Sequence, residues 1–185
     1  PVKVQAHCHI GKWHDIEVED DVTAYLEFAN GATGIFVTTT GDAPGTNLLE
    51  VTGTRGRLVC ENNRLTFWRL LEDERSWCVT CQDGFKAPPS EMIEVKTDGR
   101  NLQHVEVLNA FAGHILRGEP LVADGREGIR GLMLSNAMHL SAFLGQPVEI
   151  PFDEKLYYDE LMKRVATSRR KAPAQAVFAD TEGTY

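Results

Sequence analysis

The sequence predicts an α+β fold: an open, mainly antiparallel sheet with helices packed on one of its faces. Three observations lead there. Alternating or β-branched runs fill the first half, separated only by tight turn signals. After Gly99 the apolar repeat lengthens to a helical one. Caps and stop signals then frame the helical segments.

Val2 to His9 alternates as a strand does, and a polar stretch leads on to Asp20-Asp21. Val22 to Phe28 reads as a half-buried strand. Asn30-Gly31 follows as a hairpin turn, because both residues tolerate positive φ, and Ala32 to Thr40 returns as its partner. Asn47 to Thr52, Arg57 to Glu61 and Arg64 to Leu70 continue the meander through the turns Gly53-Thr54-Arg55-Gly56 and Asn62-Asn63. Ser76 to Gln82 and Glu91 to Lys96 are read as two further strands. A helix then carries Val105, Leu108, Phe111, Ala112 and Ile115 on one face and stops near Gly118. Asp124 is placed to cap the next helix, with Glu127 completing a capping-box-like pattern and Gly145 ending it. A short strand at Pro147 to Ile150 precedes a third helix, capped by Asp153 and reaching about Ser168. Residues 1–171 are read as one domain. Residues 172–185 lack periodicity and are read as an arm or tail.

Composition narrows the function classes. The 185 residues suffice for one buried core, and a net charge of −8 disfavours nucleic acid, whose phosphates call for a basic patch. The single dense basic run, Arg169-Arg170-Lys171, sits where a helix end favours cations. No apolar run reaches the roughly 20 residues of a membrane helix, and no signal peptide opens the chain. Four irregularly spaced cysteines do not form a disulfide framework, so a reducing cytoplasm is expected. The start at Pro1 suits either methionine removal or an origin inside a longer protein.

Several groups could carry chemistry. His7 and His9 share one strand face about 7 Å apart, a spacing two metal ligands could use. Closed zinc sites need four ligands, so a strand lining a cleft or solvent is preferred and no metal is assigned. Cys78-Val79-Thr80-Cys81 has CxxC spacing but reads as strand, where its thiols point to opposite faces; they are taken as structural. The GTRG turn joins two strands and lacks the spacings that cradle phosphates. His104 flanks the stripe of the first helix, near its start. His114 and His139 are read as surface or packing residues, and Glu17, Glu19, Asp20 and Asp21 as a solvated loop. No nucleophile motif is present.

Three stretches taken together, EDDVTAYLEFANGATGIFVTTT (Glu19 to Thr40), LLEVTGTRGRLVC (Leu48 to Cys60) and GEPLVADGREGIRGLMLSNAMHLSAFLGQPVEIP (Gly118 to Pro151), resemble the C-terminal α/β domain of the Gfo/Idh/MocA family of NAD(P)-dependent oxidoreductases. The resemblance runs over about residues 1 to 165. It implies a glyceraldehyde-3-phosphate dehydrogenase-like C-terminal domain that supplies part of a substrate pocket and an oligomer interface on the open sheet face. The family's glycine-rich loop, its EKP lysine and its catalytic Asp/His helix have no counterpart here. The resemblance therefore carries over no catalytic or cofactor-binding residue. NAD or NADP is expected on a separate N-terminal dinucleotide-binding domain, with a sugar, polyol or similar molecule as substrate. The isolated chain is then expected to be inactive.

Within that resemblance His7, His9, Trp13, His14 and His104 are the substrate-side candidates, since an imidazole can both donate to and accept from a hydroxyl. The competing reading is a stand-alone binding or dimerisation module of the same fold. A third is a metal protein using His7, His9 and a cysteine. The reading frame upstream of Pro1 and elemental analysis separate the three.

Overall fold

The computed structural model describes residues 1–100 and 103–169. The chain divides into two compact units, one formed by Pro1–Gly41 with the segment from Ala123 onward, the other by Asp42–Val122. The antiparallel sheet expected from the sequence is present as two four-stranded sheets, one in each unit.

In the first unit β1 (Lys3–Ile10), β2 (Glu19–Glu27), β3 (Thr33–Thr39) and the short β8 (Val148–Glu149) lie in the order β3-β2-β1-β8. The register pairs Val4 with Leu26 and Ala6 with Ala24. These four side chains point to one face and are buried. Helix α3 (Gly128–Leu144) covers that face, with Ala137, Leu140 and Ser141 at three- and four-residue spacing turned inward. Small residues at Ala6, Ala24 and Ala137 leave room for helix and sheet to approach, while Val4, Leu26, Leu140 and Val148 fill the remaining volume.

Local chemistry sets the helix ends. Asp124 accepts from the Arg126 and Glu127 amides and starts a single 3-10 turn that leads into α3. Gly145, at φ +66°, ends α3 in the left-handed conformation that glycine adopts without a Cβ clash. Asp153 accepts from Lys155 N and Leu156 N to start α4 (Glu154–Val165), and Phe152 packs on Tyr157 with centroids 5.9 Å apart.

In the second unit β4 (Leu48–Gly53), β5 (Gly56–Glu61), β6 (Arg64–Leu70) and β7 (Ser90–Val95) form a sequential meander. Asn62 and Asn63, at φ 50° and 58°, turn β5 into β6 as their side-chain chemistry predicts. Helix α2 (Gln103–Arg117) follows, and its stripe of Val105, Leu108, Phe111 and Ile115 is exposed.

One segment departs from expectation. Ser76 to Gln82 is not a strand: it lies largely within α1 (Glu74–Thr80). Asp73 accepts from the Arg75 amide at 3.1 Å and Thr80 Oγ1 donates back to Ser76 O at 3.0 Å. These local bonds outweigh the strand preference of Trp77, Val79 and Thr80. The CxxC thus falls at the closing end of a helix, away from the N-terminal turn that would acidify a thiol. A bond from Cys78 to Glu74, joined by burial and by the Glu74 charge, pushes that thiol's pKa up. The expected arm at residues 172–185 lies outside the described residues.

Candidate functional site

The site grows from an irregularity between β1 and β2. His9 pairs with Asp21 but Ile10 pairs with Glu19, so Asp20 is an extra residue in the ladder. Such a bulge re-aims neighbouring side chains. Here it leaves Asp20 unpaired beside a second carboxylate, Asp21.

Asp20 turns inward and is 3% exposed. Its carboxylate accepts three successive amides of the connecting loop: Lys12 N at 2.9 Å, Trp13 N at 2.8 Å and His14 N at 2.9 Å. Burial opposes the charge, but the three N–H donors outweigh it and hold the Asp20 pKa below its usual value. The Asp20 carbonyl accepts Thr40 N at 3.0 Å, which ties the end of β3 to the same point. The reading of Asp20 as part of a solvated loop is therefore corrected. The alternation Leu26, Ala24, Val22 continues through Asp20, and the amide donors make burial of its charge tolerable.

Asp21 serves the other side. It accepts Lys12 Nζ at 2.6 Å, His9 Nδ1 lies 2.9 Å away, and Trp13 Nε1 donates at 3.4 Å. The Lys12 bond, then the His9 bond, lowers its pKa to about 2. His14 Nδ1 lies 3.2 Å from Thr40 Oγ1 and 3.4 Å from Asp20 Oδ2. Trp13 is half-exposed, with Lys12 Nζ 4.9 Å from its ring centroid and its ring lying close against Gly41. At the outer edge of the loop Glu17 accepts Ser168 Oγ at 2.5 Å and the Arg169 amide, and Arg169 also reaches Asp15.

Of the sequence candidates, His9, Trp13 and His14 come together in this cluster. His7 sits two residues earlier on the same exposed face, opposite Thr23. His104 belongs to α2 in the second unit. Lys12, Asp20, Asp21 and Thr40 were missed. The inward alternation of β2 was the available signal for Asp20; nothing in the sequence points to Thr40.

On the inner face, His139 Nε2 meets Glu19 Oε1 at 3.0 Å and its ring stacks on Phe143, in keeping with a packing role. A cavity of about 410 Å³ lies between the sheet and α3, lined among others by Asp20, Phe36, Thr38, Leu134 and His139. A second, of about 440 Å³, is bordered by Cys8, Glu19, Tyr157 and Arg164. Burial, then the Glu19 charge, pushes the Cys8 thiol and the Tyr157 phenol up, so both stay protonated near neutrality. Among the described residues no three His, Cys, Asp or Glu groups gather as a metal site. The cluster is equipped to exchange hydrogen bonds with hydroxyl groups and to lay an indole face against a small ring.

This architecture is a mixed α/β one, with two open antiparallel sheets and four α-helices among the described residues. Residues 1–59 match the GFO/IDH/MocA C-terminal domain model, in agreement with the resemblance drawn from the sequence over that stretch. The WlbA dehydrogenase from Chromobacterium violaceum, solved with NADH and UDP-GlcNAcA, is 25% identical at a TM-score of 0.60, over 82% of this chain and 41% of that one. The aldose-aldose oxidoreductase from Caulobacter crescentus, solved with glycerol, is 19% identical with a TM-score of 0.59, over 81% and 41%. A levoglucosan dehydrogenase solved with NADH and levoglucosan is 17% identical with a TM-score of 0.60, over 82% and 45%. The last two likenesses bear on the fold alone. The chain spans less than half the length of these structures. No protein of curated function matches it.

Proposed function

We propose that this chain is the substrate-side domain of an NAD(P)-dependent oxidoreductase acting on a sugar, polyol or similar hydroxylated molecule. The observation that carries the proposal is the gathering of His9, Lys12, Trp13 and His14 around Asp20 and Asp21 in a domain of this fold. Hydride exchange with a nicotinamide requires a carbinol held in one orientation. His9, Lys12 and His14 supply donors and acceptors for its hydroxyls, and Trp13 supplies a flat apolar wall. The dinucleotide would be held by a separate domain, which also decides between NAD and NADP. The nicotinamide supplies the hydride acceptor; the residues of this chain orient the substrate. His7, on the same strand as His9, is a further substrate-side candidate, and His104, on α2 of the second unit, is a separate one. The exposed face of the first sheet is the proposed oligomer surface, and the reducing cytoplasm the proposed setting. Among the described residues no helix is long and apolar enough to cross a membrane.

Two measurements test this. By calorimetry the 185-residue chain should show no micromolar affinity for NADH or NADPH; such affinity contradicts the assignment of the cofactor to another domain. In an enzyme that joins this chain to a dinucleotide-binding domain, His104→Ala should lower kcat/KM about tenfold on its best polyol or sugar substrate. Unchanged kinetics remove His104 from the site. A start codon at this point of the gene, with no dinucleotide domain joined, favours the stand-alone binding module.

A further inference from the structure

We infer that Asp20 is the positioning residue of the substrate-side loop, acting through the main chain while its neighbour Asp21 fixes the side chains. The substrate part of this inference rests on the proposed function; the geometric part does not. Asp20 is buried, and its carboxylate is taken up by the amides of Lys12, Trp13 and His14. It also borders the cavity between the sheet and α3, but both of its carboxylate oxygens are already engaged by the loop amides. Its hydrogen bonds act on the loop it holds.

The residue type matters. A carboxylate offers only acceptors, enough for three convergent N–H groups. An asparagine of the same shape would turn an NH₂ group towards some of those donors and leave at least one amide without its bond. Asp21 differs in kind: it takes side-chain partners His9, Lys12 and Trp13 on the outer side and holds no loop amide among the described residues, so its loss should leave the loop backbone in place. The alternation of β2 turns Asp20 inward and Asp21 outward, and the bulge leaves Asp20 without a partner in the β1 ladder, where the loop amides meet it. One carboxylate sets the loop, the other sets what the loop displays.

The first test is amide hydrogen exchange in the unaltered chain. Lys12, Trp13 and His14 should be protected although they lie outside any strand, and their full exposure to exchange overturns the inference without any variant. In Asp20→Asn the same three amides should exchange at least about tenfold faster, while Asp21→Asn leaves them within about twofold. Equal exchange in the two variants also overturns it. The second test uses the joined enzyme at its best sugar or polyol substrate. Asp20→Asn should raise KM about tenfold with kcat within about threefold, and Asp20→Glu should recover part of that loss. A change in kcat alone, or no change, overturns the positioning role. Absence of turnover by the unaltered enzyme defeats the functional reading instead, and the amide data alone then decide the loop assignment.

Discussion

Ser141 and Ala6 are joined across the core by a hydrogen bond: Ser141 Oγ accepts Ala6 N at 3.0 Å and donates to Gln146 O at 2.7 Å. Strand β8 pairs with β1 only at Lys3 and Val4, so beyond Val4 the amide of Ala6 has no ladder partner on that edge. A fully buried hydroxyl on α3 stands in for the missing strand.

Ser141→Ala should therefore leave a buried amide and a carbonyl without partners. The expected cost is about 1–3 kcal/mol, read as a lowered denaturant midpoint at constant m-value. A midpoint unchanged within error would show that water or a shift of the strand replaces the hydroxyl.

Acid should loosen the β1–β2 loop before neutral conditions do. Asp21 is held to about 2 from 3.8, and Asp20 and Glu17 are lowered in the same direction. A carboxyl whose pKa is depressed by folding stabilises the fold above its unfolded value and loses that contribution as pH falls through its folded one. Stability should thus be level above about pH 5 and fall from there towards pH 2. Asp21→Asn should flatten part of the fall, as thermal melts across that range would show. A fall equally steep in the variant assigns it to other carboxylates.

Gly41 lies so close to the Trp13 ring that an added Cβ would collide with it. Gly41→Ala should displace the indole and weaken its bond to Asp21. The indole signal of Trp13 should shift in nitrogen–proton spectra, and the spectra of Trp68 and Trp77 should not. If the Trp13 signal stays in place, the ring has room that the close approach denies.

Much of this fold could be read from the chain because its instructions are local. The alternation of β2, the Asn62-Asn63 turn, the Asp153 cap and the Gly145 stop each act within a few residues. Three features were not legible for the opposite reason. The helix at Glu74–Thr80 depends on one capping carboxylate overriding β-favouring side chains. The division of the strands into two sheets is settled by pairings between distant segments, as where β8 joins β1. The burial of Asp20 depends on amides six to eight residues upstream folding over it. His9, Trp13 and His14 were found by residue type, whereas the carboxylates that arrange them looked like an ordinary acidic loop.

The outer face of the first sheet carries the last prediction. Tyr25 and Ile35 are paired across β2 and β3 beside Gln5, and Val37 pairs with Thr23 beside His7. Their exposures of 45%, 76% and 62% leave β-branched and aromatic side chains in water on the sheet face opposite α3. Val37→Asp removes no internal packing, so the fold and its far-ultraviolet spectrum should be kept. A charge in the middle of an apolar contact costs far more than the same charge in water. If this face joins copies of the chain, the unaltered protein should sediment as a dimer or larger species that dissociates on dilution, and Val37→Asp should sediment as a monomer at the same concentration. A monomer in both proteins refutes the sheet-face interface, and an undiminished oligomer in the variant moves the contact to another surface.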